Sequence, residues 1–435
     1  MHFRNLIIVF IACLSLVACR SSKEQLEGLT FKEQLGVLFP KAEISAIRAA
    51  NHFTEAYQLV LRQPLDHDDL EAGTFDHYIY VSHSGYDAPT VLVTEGYNAK
   101  PRTYELSRIL ASNQVMVEYR FYGKSRPDPI PWPYLTNDLA VEDYHQIVNK
   151  LKKLYKGKWI STGISKGGET VLIYKSKYPK DVDVAIPYVA PLINTQEDPR
   201  TNELINSVGT DACRAKISAF QRAILENRGA VLGHLRKYAA ANKMQFTNVP
   251  IEEALEYSVL EFPFSFWQWG GKCDEIPVAN ADALDLWNYL LKVSGVGLYN
   301  DSGFTHYLPS FYQHMKELGY YGFNLEPVSD LLVHVKSSSN KRFAPANVDL
   351  TYNREYIKEV RDYVEHKGDK ILYIYGANDP WGACAPSPKP SVDFLKMTLK
   401  GGSHNTRIKD FSPDEKRKIY AKLKEWLGDI TLNPI

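Results

Sequence analysis

Gly163-Ile164-Ser165-Lys166-Gly167 reads as G-x-S-x-G, and its flanks decide the fold. Before it, Lys158-Trp159-Ile160-Ser161-Thr162 is a short β-prone run. After it, Gly168 opens a helix-like stretch over 169–178 that Pro179 closes. A strand, a tight turn and a helix are the setting of a nucleophile elbow, in which glycines permit the turn and keep side chains off the serine oxygen. The helix N-terminus behind the serine favours developing negative charge. A phosphate-cradling loop does not fit, because the Gly-Lys-Ser/Thr ending is missing and Glu169 would repel phosphate. Ser165 is therefore a candidate nucleophile.

Working outward, Phe75-Asp76-His77-Tyr78-Ile79-Tyr80-Val81 and Thr90-Val91-Leu92-Val93-Thr94 read as strands, and so does Val115-Met116-Val117-Glu118-Tyr119. An apolar stripe of Tyr144, Ile147, Val148, Leu151 and Leu154 predicts a helix over about 139–155. Val182-Asp183-Val184-Ala185-Ile186-Pro187-Tyr188-Val189 is a further strand. Strands alternating with helices imply a parallel sheet covered on both faces. From residue 195 to about 350 the pattern turns helical, with helical spacing over 204–235, 252–260 and 281–293. An insertion of this size between two strands predicts a helical cap that excludes water and shapes specificity. The sheet resumes at Lys370-Ile371-Leu372-Tyr373-Ile374-Tyr375 and Leu395-Lys396-Met397-Thr398-Leu399. A last helix starts at the capping box Ser412-Pro413-Asp414-Glu415.

Two polar residues follow those last strands: Asp379 in Asn378-Asp379-Pro380-Trp381, and His404 in Gly402-Ser403-His404. Open α/β sheets place catalytic groups just past strand ends. The chain order Ser165, Asp379, His404 is that of an α/β-hydrolase, which is the fold class expected here, with the cap inserted between sheet strands. His404 would take the serine proton and return it to the leaving group, while Asp379 would hold the imidazole tautomer. By the same rule the oxyanion-hole donors are the backbone N–H of Lys166, after the nucleophile, and of Tyr97 or its neighbour in Glu95-Gly96-Tyr97-Asn98, after an early strand. A triad does not choose between amide and ester, so an esterase of this fold is the alternative at this point.

Several stretches carry a resemblance. Gln63-Pro64-Leu65-Asp66-His67, Glu118-Tyr119-Arg120-Phe121-Tyr122-Gly123-Lys124-Ser125, the elbow, Asn378-Asp379-Pro380-Trp381 and Gly402-Ser403-His404 together resemble the proline-specific serine peptidases. One branch holds Pro-Xaa carboxypeptidase and dipeptidyl peptidase II; the closer one is the bacterial prolyl tri/tetrapeptidyl aminopeptidase family, which Phe266-Trp267-Gln268 also resembles. The resemblance implies a Ser-His-Asp exopeptidase acting on peptide substrates after proline, with no metal and no cofactor. Proline has no N–H, so its pocket must work by shape, and Phe266, Trp267 and Trp269 in the aromatic run 262–269 are candidate walls. An aminopeptidase must also pair the substrate ammonium, for which Glu95 and Glu261 are candidates; a carboxypeptidase would need Arg or Lys instead.

Composition sets the remaining bounds. With 435 residues and a formal net charge of zero, nothing points to nucleic acid. The apolar run from Leu6 to Val17 is short for a membrane span and ends Leu16-Val17-Ala18-Cys19, resembling a lipoprotein lipobox with Cys19 as the lipidated residue. Arg20 in the next position suits outer-membrane sorting, facing the periplasm or the cell surface, so membrane contact is expected only through the lipid anchor. The expected organisation is a leader over 1–19, a linker over 20–46, the core over 47–194, the cap over 195–350 and the rest of the core over 351–435. Cys213 and Cys273 lie in the expected cap of an exported protein and are expected to pair, leaving Cys384 as a thiol.

Overall fold

The computed structural model describes residues 26–435, so the leader and Cys19 lie outside the described residues. One sheet of nine strands organises them: β1 Glu43–Ala46, β2 Glu55–Pro64, β3 Thr74–His83, β4 Thr90–Thr94, β5 Asn113–Val117, β6 Trp159–Ile164, β7 Val184–Tyr188, β8 Ile371–Gly376 and β9 Phe394–Leu399. Their order is β1-β2-β3-β5-β4-β6-β7-β8-β9. The pairs from β1 to β3, and β3 with β5, are antiparallel; every pair from β5 through β4 to β9 is parallel. The strands β4, β5, β7 and β8 are buried along their whole length, which explains their continuous apolar runs, since helices cover both faces. Helices Asn137–Leu151, Lys166–Lys177 and Arg354–His366 pack on one face, and Glu105–Leu110 and Pro413–Leu427 on the other. This is the α/β-hydrolase fold that the chain order of the motifs implies.

The segment expected as a linker belongs in part to this core. Helix Phe31–Leu38 opens with a Thr30/Glu33 capping box and buries Phe31, Leu35 and Leu38, while β1 pairs with β2. The polar residues of 31–46 hide one short apolar face, which composition alone reads as linker.

Between β7 and β8 the chain builds the cap from helices Arg200–Ile205, Asp211–Glu226, Arg228–Ala241, Ile251–Gln268, Ala283–Val293 and Asp301–Gln313, with an apolar cluster of its own around Phe220, Leu255 and Phe262. The helical spacing over 204–235 therefore spans parts of three helices, with one break around Gly209, whose φ of +71° suits glycine, and a second at Asn227. Conversely, the helix expected over 252–260 runs on to Gln268, straight through Pro263. Proline strips a hydrogen bond from the carbonyl four residues back. That carbonyl, of Val259, accepts instead from Gln221 Nε2 at 2.8 Å. Pro309, inside Asp301–Gln313, frees the Thr305 carbonyl, and Arg126 Nη1 of the core donates to it at 2.6 Å. A disulfide joins Cys213 to Cys273 within the cap, with Cα atoms 5.4 Å apart, while Cys384 is free and buried.

Candidate active site

Ser165 sits where β6 ends and helix Lys166–Lys177 begins, with φ 58° and ψ −125°. That is a left-handed conformation that costs a non-glycine residue, and it persists because the surroundings fix it. Its N–H donates to the Tyr188 carbonyl at 2.9 Å, and its carbonyl accepts from the Glu169 N–H at 2.8 Å. The elbow glycines answer to packing. A Cβ on Gly167 would lie 2.5 Å from the Thr94 carbonyl oxygen, so the end of β4 runs directly against the turn. On Gly96 a Cβ would lie 2.5 Å from the Gly167 nitrogen, which brings Glu95-Gly96-Tyr97 onto the start of the elbow helix. The Lys166 N–H, first in that helix, has no acceptor within it. The two backbone groups expected as oxyanion donors thus belong to segments in contact.

Asp379 follows β8 and His404 follows β9, and the two side chains meet: Asp379 Oδ2 and His404 Nδ1 lie 2.6 Å apart, both groups buried. Asp379 Oδ1 accepts from the Trp381 N–H at 3.2 Å, so neither oxygen is idle. With Nδ1 turned to the aspartate, Nε2 is the nitrogen left for chemistry. The cap completes this corner, since the His404 N–H donates to the Gln268 carbonyl at 2.9 Å and the Trp269 ring stands edge-on to the imidazole at 5.7 Å between centroids. Ser165 and His404 line one groove of about 980 Å³ between core and cap.

The acidic candidates both reach this groove but differ in partners. Glu95 accepts from Tyr104 Oη at 2.6 Å and from Arg102 Nη2 at 3.2 Å, so a cation already faces it. Glu261 accepts from Ser265 Oγ at 2.7 Å and from the Tyr321 hydroxyl, both neutral donors. Burial pushes the Glu261 carboxyl up to about 7, against the pull of those hydrogen bonds.

Phe266 and Trp267 are not groove walls. On a helix, residues three, four and seven apart share a face. Glu261, Ser265 and Gln268 take the groove face, which turns Phe266 toward Phe262 and Gly271 in the cap interior and Trp267 toward Gly209 and a separate cavity. Trp269, just past the helix and 52 % exposed, does line the groove. Sequence reasoning missed Tyr307, Tyr320, Tyr321, Arg102 and Arg407. The spacing of Glu261, Ser265 and Gln268 was the available signal for the groove face; nothing local marks the tyrosines, which reach it only through the tertiary fold.

The lysine of the elbow is buried, and its Nζ has no hydrogen-bond partner. It stands 3.5 Å from the centroid of the Tyr119 ring, with Tyr122 at 5.2 Å and Tyr97 at 5.8 Å. Burial lowers its pKa to about 7 and raises that of Glu169, one turn along, to about 8. The remaining motif residues brace the site from behind. Glu118 accepts from the Ala99 N–H at 3.0 Å and from Ser125 N–H and Oγ, each at 2.7 Å, tying the loop after β4 to the turn after β5. Asp143 gathers Arg120 Nε at 2.8 Å, Gln63 Nε2 at 2.8 Å and His67 Nε2 at 2.7 Å, so two distant motifs converge on one buried carboxylate.

An α/β-hydrolase core carrying a serine elbow and a paired Asp and His defines a class of serine hydrolases. The chain belongs to the PS-10 peptidase S37 family, whose model matches residues 42–433, and it is a serine peptidase. It is 31 % identical over 380 residues, covering 85 % of this chain and 80 % of the relative, to prolyl tri/tetrapeptidyl aminopeptidase of Streptomyces mobaraensis. Among solved structures it is similar to proline iminopeptidase of Mycobacterium smegmatis, with 12 % identity, TM-score 0.37 and coverage of 88 % and 98 %. An α/β fold family hydrolase of Bacillus anthracis str. Sterne gives 12 % identity, TM-score 0.33 and coverage of 89 % and 99 %.

Proposed function

We propose that this protein is an exopeptidase that hydrolyses peptides after a proline near their free N-terminus, with Ser165, His404 and Asp379 as its triad. The observation that carries the chemistry is the buried Asp379–His404 pair sharing one groove with a serine held at positive φ. His404 Nε2 takes the Ser165 hydroxyl proton as Oγ attacks the carbonyl carbon, and the N–H groups of Tyr97 and Lys166 receive the developing oxyanion. The imidazolium, steadied by Asp379, gives that proton to the leaving amine; water repeats the sequence on the acyl-enzyme and frees the proline carboxylate. Trp269 and the groove tyrosines offer the apolar walls that a ring without an N–H requires.

The direction of binding rests on Glu261. A carboxylate buried in the groove with only neutral donors lacks the countercharge that would offset its desolvation. A substrate ammonium supplies it. Glu95 is already paired by Arg102, so Glu261 is the better clamp. The aminopeptidase relative supports the same direction. A peptide with a free amine and proline at the third or fourth position should be cut after that proline, and N-acetylation should slow the cut. Equal cleavage of acetylated and free peptides would overturn the clamp. Export as a lipoprotein through Cys19 belongs to the same reading, and the cap disulfide suits an oxidising compartment. Labelled palmitate entering the wild type but not Cys19→Ala would support the anchor; equal labelling of both would reject it.

A further inference from the structure

Adjoining the groove, and sharing part of its lining, lies a second cavity of about 270 Å³, walled by the core rather than by the cap. Ile164, Arg102 and Arg407 line both spaces, and Arg108 and Lys409 line the second one. Glu105 is the one acidic side chain in its lining, and it is occupied: it accepts from Tyr188 Oη at 3.0 Å and from the N–H groups of Ile408 and Lys409 at 3.1 and 2.9 Å. Arg102 is shared with Glu95. Arg407 donates through Nη1 to the carbonyls of His404 at 3.0 Å and Thr406 at 2.7 Å, and its guanidinium stands 5.8 Å from the Tyr188 ring. No carboxylate bonds its side chain among the described residues, and the side chains that line this cavity carry a surplus of positive charge: Arg102, Arg108, Arg407 and Lys409 against Glu105.

Position gives that charge a meaning. His404 protonates the leaving amine, so the residues after the cut must start beside His404. Arg407 is hydrogen-bonded to the His404 carbonyl and lines both spaces. The acid that suits an ammonium, Glu261, comes from the cap, whereas these cations come from the core, so the groove is polar from one wall to the other.

We propose that this cavity is the subsite for the segment leaving after the cut, and that Arg407, with Arg102, binds the free carboxylate of a short leaving segment. The inference rests on the peptidase reading above. It makes the enzyme a reader of both ends of a small peptide, favouring oligopeptides over proteins. A guanidinium–carboxylate contact is charge-assisted and stronger than the bond to a neutral amide.

The test uses one proline peptide in four forms, with free or acetylated amine and free or amidated C-terminus, cut by the full-length enzyme. Amidation should raise KM about tenfold, as expected for one charge-assisted contact. Arg407→Gln should erase the difference between acid and amide, and Arg407→Lys should keep part of it. A merely structural role would slow both forms alike and leave their ratio unchanged. Should Arg407→Gln not fold, inhibition of the wild type by a dipeptide against its amide gives the same answer. Equal cleavage of acid and amide forms, with N-acetylation still harmful, would overturn the subsite and leave the aminopeptidase reading intact. Harmless acetylation with damaging amidation would keep the subsite and overturn the N-terminal clamp. No cleavage after proline in any form would overturn both.

Discussion

The ammonium of Lys166 stands 3.5 Å from the centre of the Tyr119 ring, at the residue that follows the nucleophile and with no hydrogen bond of its own. Tyr97, whose backbone belongs to the loop facing the elbow, lies in the same aromatic box. Charge over ring faces is favourable once water is excluded, and here it fastens the Tyr97 loop to the start of the elbow helix.

Lys166→Met should therefore slow catalysis while relieving the fold. Burial holds the folded pKa near 7, below the ordinary value of 10.5. The folded chain carries the full cost of that charge below pH 7 and loses it as pH rises toward the unfolded value. Melting curves should show the variant stabilised most at pH 6 and least near pH 10. Its kcat should drop about tenfold, a modest share of what one oxyanion donor supplies. A variant that is both as fast as wild type and no more stable would contradict the box.

Ser165→Ala should abolish hydrolysis and labelling by a fluorophosphonate while keeping the fold. Asp379→Asn should cost about four orders of magnitude in kcat, because the amide no longer fixes the imidazole tautomer. Ser165→Gly adds a separate readout. Glycine accepts φ 58° without strain, so this inactive variant should be more stable than Ser165→Ala by about 1 kcal/mol in denaturant unfolding.

Gly96→Ala tests the loop facing the elbow. Its new methyl would lie 2.5 Å from the Gly167 nitrogen and 2.7 Å from Cβ of Lys166, so backbone must move. A shift of that size at the proposed oxyanion donor should lower kcat by about 10² or more, with circular dichroism unchanged. Normal kcat would remove the loop from the oxyanion hole.

How much of this was legible follows from where each signal lives. Ser165, Asp379 and His404 each follow a strand that reads as a local apolar run, so bringing them to one end of the sheet needs only the order of strands in a parallel sheet. The tight glycine at residue 96 reads as an ordinary loop residue until the elbow helix is placed against it. Phe266 and Trp267 were misread because an aromatic run gives no phase, and phase on helix Ile251–Gln268 is set by which stripe the cap core takes. Helix Phe31–Leu38 shows too little apolar surface to stand out, although its capping box is plain in the residues. Arg407 and Tyr321 join the site through contacts between distant segments, which no local pattern encodes.

Glu261 sets binding against stability. Burial pushes its carboxyl up to about 7, from an ordinary value of 4.5. An acid with a raised folded pKa costs nothing below its unfolded value and the full amount above its folded one. Glu261→Gln should therefore leave stability unchanged at pH 4.5 and raise it at pH 8, by up to about 3 kcal/mol. Ser265 and Tyr321 donate to different carboxylate oxygens, so in the variant one hydroxyl keeps donating to the amide oxygen and the other turns to accept from the amide NH2. The same variant should raise KM for free-amine peptides about tenfold or more and leave acetylated ones untouched. Because wild-type Glu261 ionises only as pH rises toward 7, the advantage of free over acetylated substrates should grow from pH 5 to pH 7. It should fall again above pH 8 as the substrate amine loses its proton. Measuring kcat/KM for both substrates across that range isolates the clamp, because any pH dependence the two substrates share cancels in their ratio. A free-to-acetylated ratio that stays flat with pH, or one that Glu261→Gln leaves unchanged, would assign the ammonium to another group.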